Sequence, residues 1–404
     1  MKKVVIVCLV ICLLAIAGCG KKAPVSSSAT QPTSSNATKK SEIPTESATA
    51  SAAALAQRRS VALKAFSDVM LNNAKFYDAD SKRTLYLKDI KWSDTSWGLD
   101  GPRVAFHASN FAVVDMDGDG VSEVVVGIDP ASNADVDPGF EVLHYTGSKV
   151  NGFSFHFRSM QTVGTNGLYT EGGATNNSTE KLRFIAGTYD ISRQYYSESV
   201  DGTEDGKPVY FYYHDVPLSE NSYEMALKDD PYEQVHWYDF KDSLIKKWVT
   251  DRPASADSKP ALSNDALVAR QNYLDGLESL TSFQPEKVNP FADYLQHPKV
   301  YYQNWDKELN KIYGLLEKKL TSDQMDVLRS DEKQWLSVRD IRGAQAYQNY
   351  IKSYSNTAVD ASYEESRILG DVTKNRTFYL IDRYFGDTSQ PTTTEIIQKY
   401  GLKK

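Results

Sequence analysis

Apolar positions recur at alternate residues over much of residues 100–215 and at three- and four-residue steps beyond about residue 300. Phe111-Ala112-Val113-Val114 and Val124-Val125-Val126-Gly127-Ile128 predict two strands. Phe140 to Tyr145, followed by the turn signal Thr146-Gly147-Ser148-Lys149, predicts a hairpin with the alternating run from Gly152 to Phe157. Lys181–Ile185, Thr188–Ser192 and Lys207–Tyr212 read as further strands, with Gly167 and Glu171-Gly172-Gly173-Ala174 as loops. Ahead of them, Ala62, Phe66, Val69, Met70 and Tyr77 predict a helix from Ala56 to Tyr77, ended by Asp78-Ala79-Asp80-Ser81. A short strand is expected over Thr84–Leu87 and a short helix over Ser219–Lys228.

In the last third, Trp305, Leu309, Ile312, Leu316 and Leu320 mark one helix face. Thr321 and Gln324 form a capping box for the next helix, which carries Leu328, Trp335 and Val338. A third helix is expected from Ala361 to Arg383, with Ile368, Val372, Tyr379 and Leu380. The elements predict an α+β fold whose N-terminal β-rich domain spans 57–252. A Pro/Ser linker follows over 253–265, then a small antiparallel bundle of three or more helices over 266–386 and a tail over 387–404. A chain of 404 residues has room for both domains.

The N-terminus changes where this fold is expected to work. Lys2 and Lys3 precede an apolar run from Val4 to Ala17, too short to span a bilayer. It ends in Ile16-Ala17-Gly18-Cys19, which resembles the lipobox of bacterial lipoproteins. That resemblance implies removal of residues 1–18, lipidation of Cys19, and anchoring of an extracytoplasmic protein to the membrane. Two acyl chains are about what stable anchoring needs. Residues 19–56, rich in Ser, Thr, Ala and Pro, are expected to be a tether. The other cysteines, Cys8 and Cys12, lie in the leader, so the folded part has no disulfide and no thiolate site. The chain carries a formal charge of −7, with 31 Asp+Glu against 19 Lys+Arg over residues 60–262. Nucleic acid, which needs a basic face, is not an expected partner.

Between the first two predicted strands lies Asp115-Met116-Asp117-Gly118-Asp119-Gly120-Val121-Ser122-Glu123. Hard cations such as calcium take several oxygen ligands at about 2.3–2.6 Å, which this density of carboxylates can supply. An EF-hand would need a glutamate at its twelfth position, where Val126 stands, and helices rather than strands on either side. The loop resembles the strand–loop–strand calcium sites of integrin-type FG-GAP repeats. That likeness implies ligands from Asp115, Asp117, Asp119 and Glu123, with the Val121 carbonyl, around a structural Ca2+. The alternative is an Asp-rich hairpin held by Asx turns without metal. No His-Glu-x-x-His, Gly-x-Ser-x-Gly or phosphate-loop spacing occurs, and His144, His156 and His214 fall in apparent strands. The chain is not expected to be an enzyme. Tyr195-Tyr196 and Phe211-Tyr212-Tyr213 are either sheet packing or the wall of a glycan or peptide groove.

The helical third adds a second resemblance. Trp305, Leu309, Asn310, Tyr313, Gln334, Trp335, Arg339, Asp340, Thr373 and Arg376 resemble the motif series of the LprI-type lysozyme-inhibitor family. Members commonly hold cysteines just after the Arg-Asp pair and before the Thr-x-x-Arg. Here those stretches read Ile341-Arg342-Gly343-Ala344 and Ile368-Leu369-Gly370-Asp371, without cysteine. Trp335 is expected to anchor the bundle, and Asp340 to pair with Arg376 unless Arg339, Asp340 and Arg376 form a ligand face. The resemblance implies a binding protein, directed at lysozyme or at an envelope glycan or protein. A calcium-stabilised surface scaffold or adhesion module without lysozyme inhibition is the alternative.

Overall fold

The computed structural model describes residues 45–92, 104–131, 138–156, 162–165, 167–171, 177–199, 209–231, 233–253, 262–281, 296–354 and 358–403. Cys19 with its leader, the tether up to residue 44, Gly172 to Ala174, Lys207, Pro208 and linker residues 254–261 lie outside the described residues. Thr45–Lys404 form one compact unit, in which the β-rich and helical parts share buried contacts.

Helix α1 (Thr45–Met70) precedes strands β1 (Phe76–Asp78), β2 (Arg83–Leu85), β3 (Lys91–Trp92), β4 (Val104–Val114) and β5 (Glu123–Pro130). Next come β6 (Gly139–Tyr145), β7 (Val150–His156), β8 (Thr162–Gly164), β9 (Gly167–Glu171), β10 (Asn177–Ile185), β11 (Thr188–Ser199), β12 (Val209–Tyr213) and β13 (Val216–Leu218). Helix α2 (Glu220–Asp229), strand β14 (Tyr238–Asp239) and helices α3 (Asp242–Ile245), α4 (Asn264–Asp275) and α5 (Glu278–Thr281) lead to the long helices. These are α6 (Gln296–Lys319), α7 (Ser322–Tyr354) and α8 (Ala358–Phe385), followed by α9 (Thr393–Tyr400).

One sheet runs β14-β4-β5-β6-β7-β1-β2, with β3 also on β4, and the second runs β13-β12-β11-β10-β9-β8. Alternation sends one side chain set of each sheet to a shared core, where Val125, Val142 and Phe153 meet Leu168, Leu182 and Phe184. On its other face the first sheet packs Phe111, Val124, Val126 and Leu143 against Phe66, Val69 and Met70 of α1. With both faces covered, Val124, Val125 and Val126 are all fully buried, hence the unbroken apolar run in the sequence. The three long helices bury Trp305, Ile312, Leu316, Trp335, Phe378 and Leu380 together.

Several elements differ from expectation. Tyr77 lies in β1 rather than in the first helix, because Asn72 takes a left-handed φ of 57° and stops α1. The same helix starts at Thr45, within the stretch expected as tether. Its Ala-rich start, without Gly or Pro, favours helix. Gly167 and Glu171 bound strand β9 instead of lying in loops, and an added Cβ at Gly167 would run into the Glu180 carbonyl. The residues expected as a tail carry α9, opened by a reciprocal capping box between Thr392 and Glu395. The predicted box at Thr321 is present, with Gln324 N–H donating to Thr321 Oγ1 at 3.4 Å and Thr321 N–H to Gln324 Oε1 at 3.0 Å.

Where the family resemblance would place cysteines, the long helices meet through glycine. A Cβ on Gly343 would sit 2.8 Å from Leu369 Cδ2, and one on Gly370 would strike the Tyr301 ring. Each glycine leaves room for a neighbouring side chain, Leu369 of α8 over Gly343 of α7 and Tyr301 of α6 over Gly370 of α8.

Candidate functional site

The Asp115 loop joins β4 to β5, whose last register pair is Val114 with Glu123. Gly118 and Gly120 take φ of 71° and 84°, a conformation that lets the loop fold its carboxylates inward. Four of those carboxylates are held by backbone donors or held close to them. Gly120 N–H donates to Asp115 Oδ2 at 3.0 Å, Asp119 N–H to Asp117 Oδ1 at 3.0 Å, Val121 N–H to Asp119 Oδ1 at 2.6 Å, and Met116 N–H to Glu123 Oε2 at 2.9 Å. Asp117, Asp119 and Glu123 are buried, Val121 is buried beside them, and Asp115 Oδ1 has no hydrogen-bond partner among the described residues.

Oxygens of Asp115, Asp117 and Asp119 come within 4.8 Å of one another, as do ligand atoms of Asp117, Glu123 and His144. Burial, then the neighbouring Asp117, pushes the Asp115 carboxyl up to about 7 and that of Asp119 up to about 8. The same two causes raise Glu123 well above its usual range. Burial holds the His144 imidazole down at about 4, and its Nδ1 lies 3.0 Å from Glu123 Oε1, which orients that carboxylate. Crowded hard oxygens, an orphaned carboxylate atom and an excess of negative charge together fit a hard divalent cation. Asp115, Asp117, Asp119 and Glu123 are the residues able to hold it, with His144 as the orienting neighbour.

Sequence reasoning missed what surrounds the loop. Arg58 of α1 reaches Asp119 Oδ2 at 3.0 Å, and Arg59 Nε donates to the Gly120 carbonyl. From α4, Arg270 donates through Nη1 and Nη2 to the Asp117 carbonyl at 3.3 Å, while its Nε reaches Asp382 Oδ1 of α8 at 2.9 Å. Arg183 of β10 grips the same aspartate through two bonds of 3.0 and 2.6 Å. Burial works against the Asp382 charge, but Arg183 and Arg270 outweigh it and hold the carboxyl well below the usual range. The loop therefore touches α1 and α4 as well as its own hairpin, and through Arg270 it is linked to α8 and the second sheet.

The helical motif residues divide by burial. Trp305, Leu309, Trp335, Thr373 and Arg376 are buried, and Tyr313 is partly covered. Asn310, Gln334 and Asp340 are exposed, with Asn310 Nδ2 bonded to the carbonyl of its own helix at Asp306. The expected pair between Asp340 and Arg376 does not form. Arg376 Nη2 instead reaches Asp331 Oδ2 at 2.5 Å and Glu332 Oε1 at 2.6 Å, while Asp340 bonds Arg339 at 2.8 Å in solvent. Burial explains this: Asp331 and Glu332 lie on the buried side of α7 with Arg376, whereas Asp340 lies on its exposed side.

Residues 298–380 match the family model described as Lysozyme inhibitor LprI. No curated protein and no solved structure matches the chain. The LprI-like region thus covers α6, α7 and most of α8, and its buried motif residues are the ones that pack these helices together. Tyr195 and Tyr213 stack at 4.2 Å on one side of the second sheet, within a packed cluster with Ala226 and Ile396. Tyr196 and Tyr212 stack at 4.7 Å on the opposite side, buried at the base of a cleft where Arg342 of α7 lies 3.6 Å from the centre of the Tyr212 ring.

Proposed function

We propose that this protein is a membrane-anchored extracytoplasmic binding protein that inhibits lysozyme through its LprI-like helices, on a scaffold held together by calcium. The match over residues 298–380 carries the reading. An acidic chain also suits a basic partner such as lysozyme, since opposite charge speeds encounter. The same match supports binding rather than catalysis, because the matched family is described as a lysozyme inhibitor. The test adds purified full chain to a chicken-type lysozyme clearing a cell-wall suspension. Half-inhibition is expected at about micromolar protein. Clearing unchanged at about 100 μM would refute inhibition.

The lipid anchor rests on Cys19 and has its own test. Cells expressing the chain and fed labelled palmitate are expected to yield labelled, membrane-associated protein, and Cys19→Ser protein without label. Equal labelling of both would end the proposal of an anchor at Cys19.

A second reading has an observation in its favour. Five of the motif residues are buried in helix packing, so the match is also what a shared helical scaffold without inhibition would produce. Under that reading the protein is a calcium-stabilised surface interaction module. It would retain calcium dependence while leaving lysozyme untouched.

A further inference from the structure

The cleft between the second sheet and helices α7 and α8 has a volume of about 840 Å³, which falls within the range of small-molecule sites, roughly 300–1,000 Å³. Its helical wall comes from one stripe of α7, Arg342, Gln345, Ala346, Asn349, Tyr350 and Ser353, at three- and four-residue steps. A stripe facing protein at that spacing is ordinarily apolar, and this one is mostly polar. The sheet wall comes from alternate residues, with a change of parity. On β11 the lining residues are Tyr189, Ile191 and Arg193, then Tyr196 and Glu198, joined by Ser197 and Ser199 at the end of the strand. Register shifts at this point: Glu180 pairs with Arg193 and Thr179 with Tyr195, leaving Gln194 as the extra residue of a bulge. The bulge keeps one face of a twelve-residue strand turned to the cleft.

Charge and polarity narrow the ligand. Arg193, Arg342 and Arg367 line the cleft beside Glu180, Glu198 and Glu364. The guanidiniums are already paired: Arg193 with Glu198 at 3.1 Å, Arg342 with Glu198 at 3.2 Å, and Arg367 with Glu364. Among the described residues, a phosphate or polycarboxylate finds no uncommitted cation here, and a cation finds no uncommitted acid. An apolar ligand would have to desolvate those ion pairs. Phe155, Tyr189, Tyr210 and Tyr350 are half-buried rings on the rim and walls, able to cover the apolar face of a flat polar molecule. Tyr210 and Tyr212 donate their hydroxyl hydrogens to Asn349 Oδ1 at 3.2 Å and Gln345 Oε1 at 3.1 Å. This turns both amides so that their N–H2 donors are not used by the tyrosines. Aromatic faces, oriented amides and charge-balanced planar groups are what a hydroxyl-rich, uncharged molecule requires.

We infer that this cleft is a binding site for a neutral oligosaccharide. The test titrates the full chain with tetra-N-acetylchitotetraose and with cellotetraose, in a calorimeter and without lysozyme. At least one sugar is expected to bind, with affinity reduced at least about tenfold in the double variant Tyr210→Ala, Asn349→Ala. The two residues are bonded to each other between β12 and α7, so the melting temperature of the variant is measured beside its affinity. If it falls, Asn349→Asp alone, which replaces the amide donor and keeps the oxygen, is expected to show the same direction of loss. Because the titration contains no lysozyme, its outcome does not depend on the inhibitor reading. Undiminished binding in a folded variant would overturn the inference. So would binding of neither sugar at about 10 mM, or binding of an uncharged tetrapeptide of Gly and Ser in their place.

Discussion

Replacing Arg376 by alanine is expected to cost about 3–5 kcal/mol, because it leaves two buried carboxylates without their cation. Asp331 and Glu332 both lie against that guanidinium, which is itself buried between the rings of Tyr379 and Trp335. Burial pushes the Glu332 carboxyl up even with Arg376 beside it, so without the guanidinium this group would take a proton or draw in water. Asp331 has a further duty: its Oδ1 accepts from Thr394 N–H at 2.8 Å and from the Thr394 hydroxyl at 3.0 Å, which holds α9 on α7. Loss of the ion cluster should therefore loosen α9 as well. A melting temperature lower by on the order of 10 °C is expected, with early hydrogen exchange in residues 393–400. Arg376→Met combined with Asp331→Asn and Glu332→Gln removes the charges together and should recover much of the loss. Unchanged melting of Arg376→Ala would show that the cluster contributes nothing net.

Legibility followed the range of the interactions. Strands β5 and β6, the β6–β7 hairpin and the capping box at Thr321 depend on neighbours within a few residues, and periodicity and turn chemistry revealed them. The Asp115 loop was legible because its candidate ligands lie in one nine-residue stretch. Partners far apart in the chain were not. Arg183 and Asp382 are 199 residues apart and Arg270 and Asp382 are 112 apart, with no local pattern marking either pair. Asp331 and Glu332 stood next to the motif residues in plain view, but choosing them over Asp340 required the register of two helices. The cleft left one faint trace, the polar stripe from Arg342 to Ser353 on α7, which on a solvent-facing helix would mean nothing.

The loop and the helices bear on each other through Arg270. Its guanidinium bonds the Asp117 carbonyl on one side and Asp382 on the other, so the position of the loop backbone and that of α8 are tied by one side chain. A cation in the loop would therefore order more than the hairpin it sits in. Placed where α1, α4 and the two β4–β5 strands meet, it would act as a cross-link in a chain whose described part contains no cysteine.

Calcium is accordingly expected to raise the melting temperature of the full chain, and Asp117→Asn with Asp119→Asn to abolish the rise. At a hundredfold excess over its dissociation constant, a cation that binds only the folded state adds about 2.7 kcal/mol. The asparagines keep the oxygens that accept from Asp119 N–H and Val121 N–H, so the turn itself should survive. They remove the Asp117 carboxylate, which raises Asp115, Asp119 and Glu123, and the Asp119 carboxylate, which raises Glu123. The order of stability should then cross: wild type above the variant in calcium, and the variant equal to or above wild type in chelator. Arg58 supplies the discriminating control. It neutralises Asp119 with a side chain that is 37% exposed, leaving it room to swing into solvent as a cation enters. Arg58→Ala should thus destabilise the chelated protein while enlarging the calcium-induced shift. A variant pair that melts lower than wild type in chelator, with the calcium shift intact, would mean that the loop is an Asx-turn hairpin whose aspartates serve the backbone and Arg58 alone.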